Sequence, residues 1–488
     1  MSSSSSTLDI YLIAIGGTGM APLACLLQDL GHQVRGVDGP LYPPMSDVLD
    51  RAGIEPLVGY DAGHLEAEPR PDLVVVGNAV PRSNPEAQAA ERLGLECLSM
   101  PQALGRFLLE GRRPLVAAGT HGKTTTTSMA SWVYDSCGHD PGFLIGGVSR
   151  DLGASFRVGS GARFVVEGDE YNAAYFDRGP KFLHYRPHTL ILTSVEHDHA
   201  DLYPTHADLL AAFTKLVQLV PEDGLVVAYG DSDDVRRVAA SARSRVLFYG
   251  FEERNDIRAV RDEKSGSKNI VTVHEAAGLL QKEPAQTGPV QTELELGAPG
   301  DHNILNALGV WTAARIDGLD PASIAGAFAQ FRGAKRRLEE LGRPRGVVVI
   351  DDFAHHPTAV AASLGALRRR FADSRLVALF EPRSLTAGRA FFFEAYVEAF
   401  ALADQVLLAP IHYRERLSDD EALDLEQLTS RLSERGVDAR VCASSDDLLE
   451  RAVASAEQGD VLVTMSSGSF DALPRRLLES LGSSDTGS

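Results

Sequence analysis

The sequence predicts an α/β protein built from three Rossmann-like, doubly wound units in series. Three observations predict it. Apolar runs of strand length alternate with helix-length stretches along nearly all of the 488 residues. Glycine-bearing or polar segments follow those runs, as they do at the carboxyl ends of parallel strands. The length itself allows roughly three domains. The expected units are residues 8–111, an N-terminal Rossmann-like domain; 112–328, a central P-loop ATPase-like domain; and 329–481, a C-terminal Rossmann-like α/β domain.

Composition sets the class. Hydrophobic residues make up 44% and charged residues 23%, an ordinary globular balance. Lys and Arg number 47 against 67 Asp and Glu, a formal charge of −20. That balance argues against nucleic acid or an anionic membrane as a partner, and leaves room for small anionic substrates held by local basic loops. Cys25, Cys97, Cys137 and Cys442 are scattered without metal-ligand spacing, which fits a reduced, cytoplasmic protein. Met1 to Thr7 is serine-rich with no basic n-region and reads as a frayed terminus, not a signal peptide. The polar tail Gly482 to Ser488 reads likewise. No apolar run approaches the length of a membrane span, and no internal repeat is visible.

In the first unit, Ile10–Ile15 is a strand candidate that runs into Gly16-Gly17-Thr18-Gly19-Met20 and a helical stretch to Leu30. Gln33–Val37 is a second strand ending at Asp38, an acidic group about 20 residues on, where a ribose would be met. The pattern is that of a nucleotide-binding βαβ opening, although a glycine turn alone also serves as a plain structural turn. Leu73–Gly77 is a further strand.

The second unit carries the stretch around which the chain is organised. The apolar run Leu115–Ala118 reads as a buried strand. Gly119-Thr120-His121-Gly122-Lys123-Thr124-Thr125 follows as a loop entering a helix. Backbone N–H groups and a helix N-terminus suit an anion, and Lys123 adds a full charge. The Thr124 hydroxyl falls where a phosphate-bound Mg²⁺ would sit. An ordinary Walker loop has glycine where this chain has Ala117, so the loop is a variant. Arg163–Val166 delivers Glu167 and Thr189–Thr193 delivers His199 at neighbouring strand ends, and a hydroxyl, a carboxylate and an imidazole together suit Mg²⁺. Asn255 to Thr292 is more polar, with alternations such as Ile270–Val273, and reads as an antiparallel hairpin insert. Asn303 and Asn306 are three apart on one helical face, able to meet an adenine edge or equally to cap a helix.

The third unit opens with the basic turn Gly333-Ala334-Lys335-Arg336-Arg337-Leu338-Glu339. Gly346–Ile350 is a strand ending at Asp351-Asp352, with His355-His356-Pro357 starting the next helix. Leu376–Phe380 ends at Glu381-Pro382-Arg383-Ser384. Gln405–Pro410 and Asp460–Met465 complete the strands. A phosphate loop on one unit and a basic turn on another favour a nucleotide clamped by domain closure. The loop by itself would serve a GTPase, an ATPase, a kinase or a ligase.

Taken together, the phosphate loop, Asp198-His199-Ala200-Asp201, Gly300-Asp301-His302-Asn303-Ile304-Leu305-Asn306 and Lys335-Arg336-Arg337-Leu338-Glu339 resemble the signatures of the Mur ligases, in that family's order over nearly the whole length. The resemblance implies the three-domain architecture of those ATP-dependent, amide-forming enzymes of peptidoglycan metabolism. Leu41–Ser46, Gly77-Asn78-Ala79, Asp169-Glu170-Tyr171, Lys181–Tyr185 and Phe380–Ser384 resemble the branch that joins a murein tripeptide to UDP-N-acetylmuramate, with the L-alanine-adding branch as the alternative. The resemblance further implies ATP and Mg²⁺ as cofactors. It places ATP on Gly119 to Thr125, Asn303, Asn306, Arg337 and Asp352, and the metal on Thr124, Glu167 and His199. Catalysis falls to Lys123, His199 and Arg337. The UDP substrate falls to Gly17, Thr18, Gly19, Met20 and Asp38, and the peptide acceptor to His356, Arg383 and Ser384. Lys215, one residue out of register for the family's carbamylated lysine, is expected to be a helix-surface lysine. A nicotinamide oxidoreductase would explain the first glycine turn but not the phosphate loop. A nucleotide-dependent regulatory module would explain the loop but not the later signatures.

Overall fold

A computed structural model describes residues 7–197, 202–261, 269–276, 278–279 and 290–483. His199, Met1 to Ser6 and the last residues of the tail lie outside the described residues.

Three sheets follow one another along the chain. The first is five parallel strands in the spatial order Leu57–Val58, Gln33–Asp38, Asp9–Ile13, Leu73–Val76, Cys97–Ser99. Strand order reverses at Asp9–Ile13, so the crevice of this unit opens at the loop that follows that strand. The helix Met20–Asp29 starts there and turns Leu23, Ala24, Leu26 and Leu27 into the core.

The second sheet has ten strands. Its centre places Arg113–Ala118 between Thr189–Leu192 and Arg163–Gly168, all parallel. Leu115 to Ala118 have no exposed surface, as a strand covered on both faces requires. Ala117 stands in register with Ile191 and Glu167. The strand therefore continues through the position of the Walker glycine, which explains the variant loop. The polar segment after Asn255 forms antiparallel strands, as its alternation predicts, but it is not a separate insert. Ile257–Arg261, Asn269–Glu275 and Val290–Leu296 extend this same sheet to its edge. The helix Asp301–Ile316 crosses the sheet, with buried Trp311 and Arg315 both donating to the buried Glu275 carboxylate, at 2.8 and 3.0 Å.

The third sheet has six strands in the order Glu339–Gly342, Val348–Asp352, Val461–Met465, Leu376–Phe380, Gln405–Leu408, Asp438–Val441, parallel except for the first. The link into it is pinned to the central unit. Lys335 N donates to Val148 O at 2.9 Å, and Arg332 pairs with Asp151 at 3.0 Å. Among the described residues no helix is long and apolar enough to cross a membrane.

Candidate active site

The phosphate loop is shaped by two glycines that no other residue replaces cheaply. Gly119 has φ +138°, and a Cβ there would lie 2.2 Å from Thr193 Oγ1 and 2.7 Å from the backbone of Ser194. Gly122 has φ +81°, and its Cβ would lie 2.6 Å from Asn306 Oδ1. The loop thus wedges between the segment after Thr189–Leu192 and the helix Asp301–Ile316. Lys123 opens the helix Lys123–Ser136. Its Nζ donates to Gly119 O at 2.7 Å, Thr120 O at 3.2 Å and Glu170 Oε1 at 2.9 Å. Burial alone would favour the neutral amine, but Glu170, Asp169 and Glu167 outweigh it and hold the Lys123 pKa above its ordinary value.

Thr124 and Glu167 meet as the strand ends predict. The Thr124 hydroxyl donates to Glu167 Oε1 at 2.8 Å, and Gly146 N donates to Glu167 Oε2 at 2.9 Å. Arg337, from the third unit, donates to Thr124 Oγ1 at 3.2 Å. Its guanidinium lies 4.7 Å from the centre of the Phe353 ring, a cation–π distance. The basic turn that delivers it holds Arg336 and Leu338 at φ +59° and +50°, a left-handed conformation that side-chain-bearing residues adopt at a cost and that concentrates at functional sites. Asp352 braces this turn. Its carboxylate accepts from Leu338 N at 2.6 Å and Ala354 N at 2.7 Å. Burial pushes the Asp352 pKa up, against Arg337 and those two N–H groups.

A cavity of about 890 Å³ opens between the central and third units, lined in part by Gly122, Thr125, Asn303, Asn306, Arg337 and Asp352. That volume suits a nucleotide-sized ligand. Asn306 accepts from Thr126 Oγ1 at 3.1 Å and donates to Asn303 at 3.3 Å, while Asn303 donates to Pro299 O at 2.6 Å. His121 reaches the same cavity, with its backbone N–H on Ser194 Oγ at 2.9 Å, and Thr120 donates to Glu196 O at 3.1 Å.

Sequence reasoning passed over three residues here. His302 lines the cavity, and its Nδ1 is buried with no hydrogen-bond partner. Burial, opposed by Asp301, brings its pKa down to about 4, so the ring is neutral. Its place within the motif from Gly300 to Asn306 was the available signal. Glu170 anchors Lys123; its segment Asp169-Glu170-Tyr171 carried the branch resemblance, but nothing local marked it as the lysine's partner. Glu196 lies 3.3 Å from His121 Nε2 and accepts from Thr358 Oγ1 at 2.8 Å. No local pattern marks that contact between units.

The remaining candidates lie apart. In the first unit Asp38 accepts from Gly16 N and Gly39 N, both at 2.7 Å, and from Tyr60 OH at 3.1 Å, so it braces the glycine turn. Gly17, Thr18 and Gly19 form that turn. Met20 sends its side chain into the core, and its N–H donates to Gly17 O. Arg383 pairs with Glu381 at 3.4 Å, and Ser384 Oγ accepts from Ala387 N at 3.0 Å. His356 caps the helix Pro357–Arg370, accepting from Thr358 N at 3.3 Å, and lies against His121 with ring centres 4.7 Å apart. Lys215 is exposed on the helix His206–Gln218.

Three family models cover the chain: Mur ligase family catalytic domain at residues 9–112, Mur ligase middle domain at 117–314, and Mur ligase glutamate ligase domain at 336–468. The chain is 38% identical to the UDP-N-acetylmuramate–L-alanyl-γ-D-glutamyl-meso-2,6-diaminoheptandioate ligase of Escherichia coli K12, over 97% of this chain and 98% of that protein. It is 36% identical to the UDP-N-acetylmuramate–L-alanine ligase of Paenarthrobacter aurescens, over 97% of each. The crystal structure of a murein peptide ligase from Psychrobacter arcticus superposes with a TM-score of 0.71 at 32% identity, covering 97% of this chain and 99% of that one. With its phosphate loop, interdomain arginine and three α/β units, the chain belongs to the Mur ligase family, the ATP-dependent ligases that form amide bonds.

Proposed function

We propose that this enzyme joins the tripeptide L-alanyl-γ-D-glutamyl-meso-diaminopimelate to UDP-N-acetylmuramate in the cytoplasm, at the expense of ATP, in the recycling of murein. The observation that carries this reading is the full-length 38% identity to the tripeptide ligase. The alanine ligase, at 36%, is the second reading. The chain is divided at 111/112 and 328/329. The first unit takes the UDP moiety at Gly17, Thr18, Gly19, Met20 and Asp38. The third brings the acceptor to Arg383, Ser384 and His356.

The reaction joins anionic partners, so the site must offset repulsion. ATP phosphorylates the muramyl carboxylate, and the tripeptide amine attacks the acyl phosphate and displaces phosphate. Lys123 leaves the carbonyl oxygens of its own loop and Glu170 to meet the transferring phosphate, while Arg337 approaches the same group from the third unit. Both supply charge placed in advance of the reaction. Asn303 and Asn306 read the adenine edge, and Asp352 meets the ribose. The oxygen donors of Thr124 and Glu167, already 2.8 Å apart, fit the hard cation Mg²⁺, with His199 as a further ligand. Bound there, Mg²⁺ would neutralise phosphate charge. Glu167 would accept the ion in place of the Thr124 proton.

The test is phosphate release with UDP-N-acetylmuramate and ATP, comparing tripeptide with free L-alanine as acceptor. The tripeptide should be used far better. Efficient ligation of L-alanine with no tripeptide activity would make the chain an alanine ligase.

A further inference from the structure

Three metal-ligating side chains from three separate segments converge beside the phosphate loop. His121 comes from the loop, Glu196 from the segment after Thr189–Leu192, and His356 from the start of the helix Pro357–Arg370 in the third unit. One donor atom from each lies within 4.8 Å of the others, and no other group of three His, Cys, Asp or Glu among the described residues meets that condition. His121 Nε2 and Glu196 Oε2 are already 3.3 Å apart. Two ligands each about 2.0 Å from a tetrahedral ion would be about 3.3 Å apart.

The ligands are held in place by their surroundings. Thr358 fixes two of them at once, its hydroxyl donating to Glu196 Oε2 at 2.8 Å and its N–H to His356 Nδ1 at 3.3 Å. Glu196 N donates to Thr120 Oγ1 at 2.9 Å, and the two imidazoles lie 4.7 Å apart. Such outer contacts orient metal ligands, and an ion taking His356 Nδ1 would displace the long Thr358 N–H bond there.

We propose that His121, Glu196 and His356 form a site for a divalent transition-metal ion of the Zn²⁺ type that ties the phosphate loop to the third unit. Two imidazoles and one carboxylate, with a fourth position left for water, are a donor set for Zn²⁺. Mg²⁺ prefers oxygen ligands, and the pair Thr124 and Glu167 serves it elsewhere in the loop. The ligands come from both units, so the ion would hold the loop and the third unit together as they meet here. The proposal is independent of which amino acid or peptide the enzyme ligates.

Co²⁺ is the probe, titrated into the full, untagged chain without nucleotide. The expected result is the intense visible absorption of a tetrahedral Co²⁺ site, saturating at one equivalent. Zn²⁺ should abolish it, and a large excess of Mg²⁺ should not. Glu196→Gln and His356→Ala should each weaken Co²⁺ binding at least tenfold, and Thr358→Val, which removes only a positioning hydroxyl, about tenfold. Circular dichroism checks that each variant is folded. The wild-type titration stands without the variants: no tetrahedral band, or displacement by Mg²⁺ as readily as by Zn²⁺, would overturn the site. A band unchanged in folded Glu196→Gln and His356→Ala would do the same.

Discussion

Lys123 and Glu170 form a buried pair whose two roles separate by mutation. Nζ and Oε1 are 2.9 Å apart, with side chains 14% and 1% exposed. At an effective dielectric constant near 20 their attraction is about 6 kcal/mol, largely offset by the cost of taking both charges out of water. Removing only the lysine leaves Glu170 buried without its cation, which typically costs about 3–5 kcal/mol. Lys123→Met should therefore lose stability and turnover together. An alanine or methionine variant assayed for activity alone would conflate the two effects. The double variant Lys123→Met/Glu170→Gln leaves neither member of the pair charged and should recover most of the stability. It should not recover turnover, because the charge that meets the transferring phosphate is still missing, a loss of about 10²–10³-fold. Urea unfolding at pH 7 and a coupled assay of ADP release measure the two quantities on the same proteins. If Lys123→Met were as stable as the parent, the pair would not be coupled as the geometry implies. If the double variant regained activity, Lys123 would not be the phosphate-facing group.

Three further outcomes are expected. Glu167→Gln should raise the Mg²⁺ concentration needed for half-maximal activity, with little change in UDP-N-acetylmuramate binding; a Mg²⁺ titration with calorimetry of substrate binding checks it. His302 is held neutral, its pKa lowered from 6.5 to about 4. Between those values the unfolded chain binds the extra proton, so the stability due to the neutral ring is complete above pH 6.5 and is lost as pH falls toward 4. The full gap would be about 3 kcal/mol. Partial exposure of the ring reduces it to about 1–2 kcal/mol, and urea unfolding of His302→Asn across pH 4–7 should show a correspondingly shallower loss. Arg383→Lys should lower kcat/KM for the tripeptide by up to about 1.5–3 kcal/mol in free-energy terms if a charged hydrogen bond is lost outright, leaving ATP affinity nearly unchanged; steady-state kinetics with each substrate varied decides it.

The sequence by itself determined the three α/β units, the strand that carries the phosphate loop, and the delivery of Glu167 at a neighbouring strand end. Those features rest on local periodicity and on glycines whose backbone angles other residues adopt at a cost, and both are written within a few residues of chain. The pairing of Thr124 with Glu167 was also legible, because parallel strands present their carboxyl ends side by side. Only the tertiary structure decided what meets across the units. It placed Arg337 on Thr124, set Asn306 under Gly122, and parked Lys123 on Glu170. It brought His356 to His121 and Glu196, and it made the polar hairpin the edge of the central sheet. These contacts join residues 47 to more than 200 positions apart. Their geometry depends on how separately folded layers dock, and no periodicity in the chain records that.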